Sequence, residues 1–313
     1  MDEKIAIRVE GLTRYYGNLL AVDHITFQVQ RGEIFGFLGP NGAGKTTTVR
    51  MLTTLLEPTE GKAYIHGYDV VRQPYEAKLQ LSIVPEISNV YDELSAWDNL
   101  IFSSRLYRVP IDEAQRRAER LLDAFGLGDK KHIKVHDFSK GMKRRLTIAM
   151  ALIHQPKVLF LDEPTTGLDV QSAVLIKALV RELNASGTTI FMTTHQIEEA
   201  NELCDRVAII NRGRIAAIDT PERLKGTFQS VQSVEVAFDR LEPAESEQLR
   251  KLSGVNTVEK RGDKMRLYTS DPPQVLSELI RFAEQHCLKM LSLNTFGPSL
   301  EEVFLRVTGE QVK

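Results

Sequence analysis

The sequence predicts an α/β protein: a mostly parallel sheet forms the core, with an antiparallel β subdomain ahead of it, a helical subdomain inserted into it and a small α+β domain after it. Three observations carry this. Short apolar, β-branched runs alternate with longer helical patterns up to about Lys225. One stretch, Leu94 to Gly128, has helical spacing throughout. Beyond Gly226 the pattern turns back to alternating strands separated by helices. A length of 313 residues exceeds one average domain, and the changes of pattern place the domains at 1–226 and 227–313, with the helical insertion at about 90–150.

Taken in order, residues 5–10 and 25–29 alternate apolar with polar side chains, as half-exposed antiparallel strands do. The runs at 34–38, 81–84, 158–161, 189–193 and 207–210 are continuously apolar or β-branched, which suits strands buried on both faces. In the helical stretch, Leu100, Leu106, Ala118, Leu121, Leu122 and Phe125 take core-facing positions, and Pro110 breaks the segment in two. The C-terminal part reads as a strand over 231–238, a helix over 243–252, and strands over 255–260 and 265–269 joined by the turn Arg261-Gly262-Asp263-Lys264. A helix over 273–286 and a strand over 288–295 follow. The order β-α-β-β-α-β is that of a ferredoxin-like split βαβ unit. A last helix is expected from Ser299, whose spacing to Glu302 is that of a capping box.

Composition excludes several classes. The chain is 42% hydrophobic and 26% charged, too apolar for a disordered protein. Lys plus Arg number 40 against 42 Asp plus Glu, a net charge of −2, so no nucleic-acid partner is expected. The basic stretches 130–134 and 140–145 read as a solvated face and a helix start. Two cysteines, Cys204 and Cys287, exclude a disulfide scaffold and read as buried or half-buried thiols. The histidines show no metal-ligand spacing, and Trp97 reads as a packing residue. No apolar run approaches the roughly 18 residues of a membrane span, and the start Met1-Asp2-Glu3-Lys4 does not resemble a secretion signal. The expectation is a cytoplasmic protein that meets a membrane through a partner.

Two motifs carry chemistry. Gly39-Pro40-Asn41-Gly42-Ala43-Gly44-Lys45-Thr46 matches GxxxxGK[ST], directly after a strand and before the helical run that begins at Thr47. Glycines let backbone N–H groups turn around phosphate oxygens, and a helix N-terminus adds the positive end of its dipole. Lys45 suits the β- and γ-phosphates, and the Thr46 hydroxyl suits Mg²⁺. The second motif is an apolar strand ending in Asp162 and Glu163. An acid at the C-terminal end of a parallel strand sits where ligands bind; Asp162 suits Mg²⁺ and Glu163 the role of general base. Together they predict a P-loop NTPase with ATP and Mg²⁺ as ligands.

Over roughly Ile7 to Lys225 the chain resembles the ATP-binding subunits of ABC transporters. Phe138-Ser139-Lys140-Gly141-Met142 resembles the family's signature, commonly LSGGQ: Ser139 and Gly141 match, the other three depart. By that resemblance, His195 is the switch histidine that contacts the γ-phosphate, Gly167-Leu168-Asp169 the D-loop, and Tyr16 the aromatic that stacks on adenine, with Tyr15 as competitor. Glu86 stands after Pro85 where the family usually has Gln. Glutamate keeps the oxygen that Mg²⁺ needs and loses an amide donor, so hydrolysis is expected to survive. The resemblance further implies two copies facing head to tail, each donating its signature to ATP held by the other, and a multi-span permease subunit as membrane partner. The single ATPase unit and the segment Pro298-Ser299-Leu300-Glu301-Glu302-Val303-Phe304-Leu305 resemble type-2 exporter subunits of the drug-resistance and sodium-extrusion kind. The rival readings are a soluble ABC protein, against which one Walker A motif and no long heptad run speak, and a regulatory subunit with negligible turnover.

Overall fold

The chain opens with a long hairpin, β1 (Ile5–Tyr16) and β2 (Leu19–Gln30), followed by β3 (Ile34–Leu38), α1 (Lys45–Leu52), β4 (Glu60–Ile65), β5 (Tyr68–Asp69), α2 (Pro74–Gln80) and β6 (Leu81–Val84). Three helices come next: α3 (Ala96–Leu106), α4 (Ile111–Ala124) and α5 (Lys140–Leu152). The core is completed by β7 (Val158–Asp162), α6 (Val170–Ala185), β8 (Thr189–Thr194), α7 (Ile197–Leu203), β9 (Arg206–Asn211) and β10 (Arg214–Asp219), and α8 (Pro221–Thr227) follows. The computed structural model describes residues 4–227, 232–297, 300–301 and 303–304. It divides into two units, Met1–Pro221 and Glu222–Lys313.

Two sheets build the first unit. One is antiparallel in the order β2-β1-β4-β5. The other runs β10-β9-β3-β8-β7-β6, parallel throughout except for the antiparallel edge strand β10. Every residue of β3, β7 and β8 is buried, which is why these strands read as unbroken apolar runs. The two sheets meet through aromatic packing: Phe27 of β2 stacks on Phe35 of β3 with centroids 5.5 Å apart, and Phe191 of β8 lies 5.7 Å from Phe35 and 5.2 Å from Phe160 of β7. This packing brings the C-terminal ends of β3, β8 and β7 side by side, and Gly39, Asp162, Glu163 and His195 stand at those ends.

Several predicted elements are longer than expected. The strands at 5–10 and 25–29 extend to Tyr16 and back to Leu19 because the polar residues near the turn are paired across the hairpin. The sequence did not mark β4 as a strand, since Glu60-Gly61-Lys62 has the composition of a loop; pairing with β1, Val9 opposite Ala63, holds it. In α3 the Ser95 hydroxyl accepts the Asp98 N–H at 3.0 Å and caps the helix. The buried face of that helix is Ala96, Asn99, Leu100, Ser103 and Ser104, so Leu106 falls on the opposite side and is 67% exposed rather than core-facing. Cys204 is buried and Cys287 is exposed, the latter at the left-handed residue that ends a helix in the second unit. No helix among the described residues is long and apolar enough to cross a membrane.

The second unit has β11 (Gln232–Phe238), α9 (Pro243–Leu249), β12 (Val255–Arg261), β13 (Lys264–Thr269), α10 (Pro272–Gln285) and β14 (Met290–Phe296), the β-α-β-β-α-β order of the sequence reading. Its antiparallel sheet is ordered β12-β13-β11-β14. Val234, Val236, Leu249, Leu267, Val275 and Leu279 form its core. Gly262 supplies the positive φ, 65°, of the β12–β13 turn. Ser299 and Glu302, the expected cap of a last helix, lie outside the described residues.

Candidate active site

A cleft of about 630 Å³ opens at the C-terminal end of the parallel sheet, between the loop after β3 and the β1–β2 hairpin. The loop runs from Gly39 into α1. A Cβ on Gly39 would come within 2.4 Å of the Ile210 carbonyl, and one on Gly44, at φ 106°, within 2.7 Å of the Ala21 carbonyl. Neither position tolerates a side chain. Gly39 and Ala43 face inward: Gly39 N–H donates to Thr194 O, and the Ala43 carbonyl accepts from Gly213 N–H at 2.9 Å. Pro40, Asn41, Gly42, Gly44, Lys45, Thr46 and Thr47 line the cleft.

Lys45 is buried at the root of this loop. Its ammonium donates to Gly39 O at 2.7 Å and Pro40 O at 3.2 Å and stands 3.4 Å from Glu163 Oε1. The other Glu163 oxygen, Oε2, accepts from His195 Nδ1 at 2.8 Å and from the Thr166 hydroxyl at 3.2 Å. An ionised carboxylate has about four acceptor positions, so Glu163 keeps capacity for a water molecule. Its backbone is left-handed, φ 48°, a conformation that a non-glycine residue holds only where its surroundings enforce it. Here Glu163 N–H donates to the Thr193 carbonyl and hydroxyl at 3.1 and 3.2 Å. Asp162 accepts the Thr193 hydroxyl through Oδ1 and is buried just behind the cleft.

Tyr16 lines the cleft and Tyr15 does not. One face of the Tyr16 ring carries the Arg14 guanidinium, 5.0 Å from its centroid. Glu86 and His195 line the same cleft. The oxygen donors of Thr46, Glu86 and Asp162 are the hard ligands Mg²⁺ takes, in the small number that suffices when substrate phosphates complete its shell. No cluster of three or more His, Cys, Asp or Glu suited to a metal occurs among the described residues.

Ser139, Gly141 and Asp169 are not among the residues lining this cleft. Ser139 caps α5, its Oγ accepting the Met142 N–H at 3.3 Å. Gly141 has a packing reason to be glycine, since a Cβ there would lie 2.4 Å from Ser172 Oγ. Asp169 caps α6: its carboxylate accepts the Ser172 N–H and hydroxyl, both at 2.8 Å, and the Ser172 N–H holds its pKa below the usual carboxylate range. The Asp169 carboxylate thus caps its own helix and does not line this chain's cleft.

Sequence reasoning missed Leu19, Leu20, Ala21, Thr166, Arg212 and Gly213, all of which line the cleft. Apart from Thr166, three residues after Glu163, and Arg212, whose cation suits phosphate, these offer no chemical signal. The stretch 140–145 does open a helix, as its sequence predicts, but sequence reasoning assigned no separate role to Arg144, and it is 3% exposed. Its Nε donates to Pro164 O at 3.0 Å, its Nη2 to Asp162 O and Glu163 O at 3.0 and 3.2 Å, and its Nη1 to Pro85 O and to Glu86 O at 3.2 Å. Burial pulls the guanidinium pKa down, and the carboxylates of Asp162, Glu199 and Glu86 oppose that shift.

The family model described as ABC transporter matches residues 22–166. The daunorubicin/doxorubicin resistance ATP-binding protein of Streptomyces peucetius is 38% identical over 306 residues, 97% of this chain and 92% of that protein. The Nod factor export ATP-binding protein I of Ralstonia nicotianae is 38% identical over 307 residues, 98% of this chain and 95% of that protein. A solved dimeric, post-hydrolysis ATP-binding cassette bound to ADP and Pi superposes with a TM-score of 0.61 at 25% identity, covering 68% of this chain and 98% of that one. The cleft, the loop that wraps it and these likenesses agree: the chain belongs to the ABC transporter family, as one of its ATP-hydrolysing, ATP-binding subunits. Within that family it stands with the exporter-type, type-2 subunits, and a transport role fits better than a regulatory one without transport.

Proposed function

We propose that two copies of this chain close head to tail over ATP and energise a multi-span permease from the cytoplasmic face of the membrane. One observation carries the proposal: the cleft gathers Lys45, Glu163 and His195, whereas Ser139 and Gly141 lie outside it on α5. A phosphate-binding segment that does not serve its own cleft serves another. The Ser139 hydroxyl accepts the Met142 N–H and keeps its own proton to donate to a partner's phosphate. The pairing is a two-fold one with two equal composite sites.

In each site the adenine stacks on the Tyr16 face that Arg14 leaves open, and the triphosphate lies on the loop from Gly39 to Thr47. Lys45 exchanges its contacts with Gly39 O, Pro40 O and Glu163 for phosphate oxygens, which releases Oε1 of Glu163. Glu163 takes a proton from water as the water oxygen attacks the γ-phosphorus. The bond to the bridging oxygen then breaks, giving ADP and inorganic phosphate. His195, fastened to Glu163 through Nδ1, orients the base and meets the γ-phosphate. Mg²⁺, held by Thr46, Asp162 and Glu86, would supply charge neutralisation on the phosphates. Hydrolysis removes the charge-assisted bonds that join the copies, and they part.

Membrane contact comes through the permease. Glu163→Gln tests the dimer. With ATP the variant elutes from size exclusion as a dimer, because Lys45 and Thr46 still hold nucleotide while water is not activated. Elution as monomer at saturating ATP contradicts the proposal.

A further inference from the structure

We propose that Arg144 is a positioning residue that sets Glu163 and the Glu86 loop of its own chain from the helix whose first turn serves the partner; the second half of this statement rests on the head-to-tail pairing. A guanidinium has five N–H donors in a fixed planar fork. All five are used here, each on a backbone carbonyl: Pro85 and Glu86 at the end of β6, and Asp162, Glu163 and Pro164 at the end of β7. Side chains that merely fill a helix face do not make such a set. The two loops leave adjacent parallel strands, where their carbonyls have no further strand to pair with, and Arg144 closes both ladders with one group.

The consequence for Glu163 is specific. Its left-handed backbone is gripped from both sides, the N–H by Thr193 and the C=O by Arg144. Removing one grip lets the base relax to an ordinary conformation and swing its carboxylate away from Lys45 and His195. The same guanidinium sets a buried positive charge against Glu86, which answers the negative charge that glutamate brings where the family usually has glutamine. Arg144 also stands five residues after Ser139 on α5. Displacement of that helix when Ser139 meets a partner's phosphate therefore moves the carbonyl of this chain's own base, and the two composite sites are linked through one side chain.

Arg144→Lys tests this, since lysine keeps the charge but offers three donors on a single nitrogen. Expected are binding of a fluorescent ATP analogue within about twofold of wild type, an unchanged KM and a kcat lower by about 100-fold, the size expected of a misplaced catalytic group. Mixed dimers assign the effect to a chain. Pairing an Arg144→Lys chain with a Glu163→Gln chain leaves one working base, in the chain that lacks Arg144, and that dimer is expected at about half the rate of the Arg144→Lys homodimer. Putting both substitutions in one chain opposite a wild-type chain leaves a base with its own Arg144, and about half the wild-type rate is expected, one site of two. The reverse order of rates, or an unchanged kcat, overturns the proposal. Ser139→Arg run in parallel checks the pairing separately: if it slows no site, the dimer reading fails and the Arg144 assignment is judged by its kcat against KM. Arg144→Gln replaces lysine if that variant does not purify, and failure of both to fold marks Arg144 as a folding residue and refutes the assignment.

Discussion

The loop from Gly39 to Thr47 and the segment from Ser139 to Arg145 are both tight turns opening a helix, and both carry serine or threonine, glycine and lysine. They are used in opposite directions. In the first, the helix start points into its own cleft, and Lys45 is buried there against Glu163. In the second, the helix start is exposed at Ser139 and Lys140, while the buried cation, Arg144, binds backbone. What separates them is the neighbour each faces: β3 delivers the first loop to the sheet's C-terminal edge beside β7 and β8, whereas α5 belongs to the helical insertion and presents its first turn to the outside. In the proposed pairing, a phosphate-binding start without a cleft of its own is half of a site, and the loop at Gly39 is the other half.

Substitutions on the two segments break this comparison in different ways. The largest effect is expected from Ser139→Arg. Hydrolysis falls to background because the bulky cation displaces a partner's phosphate contact, while ATP binding to the monomer, followed by equilibrium fluorescence, stays within about twofold, since the cleft is untouched. Loss of monomer binding would place Ser139 inside its own chain's site.

A smaller effect sharpens the same contrast between poised and structural groups, using two histidines. His195 lines the cleft on Glu163, whereas His154 is stacked on Tyr107 with centroids 3.6 Å apart, donates Nε2–H to Leu81 O at 3.1 Å and has no hydrogen bond at Nδ1. Burial lowers the His154 pKa from 6.5 to about 4. The unfolded chain binds this proton first as pH falls, so the stabilisation is full above about 6.5 and is lost as pH drops towards 4. The loss is on the order of 3 kcal/mol if fully expressed. His154→Phe keeps the ring stack and removes the titration. Thermal unfolding from pH 7 to pH 5 is expected to cost the wild type more than the variant, and equal slopes would exclude His154 as the titrating group.

Much of the fold was legible because its central strands are buried on both faces, and burial writes an unbroken apolar run at 34–38, 158–161 and 189–193. What escaped depends on partners distant in sequence. Glu60-Gly61-Lys62 becomes a strand through β1, and Leu106 is exposed because the phase of α3 is set by Leu100 and Ser103. At the site, phosphate-binding glycines and strand-end acids announce themselves by spacing. Arg144 cannot, since one buried arginine among Lys140, Lys143 and Arg145 differs from its neighbours only in which carbonyls it meets after folding.

The pairing itself is tested most directly by complementation. A Lys45→Ala chain and a Ser139→Arg chain are each expected to be inactive alone, the first in its cleft and the second in its signature. Co-purified as a mixed dimer, they leave one site with an intact Lys45 from one chain and an intact Ser139 from the other, and about half the wild-type ATPase rate is expected to return. A mixed dimer as inactive as its parents would contradict the shared site, because it would mean that each chain uses its own Ser139 with its own Lys45.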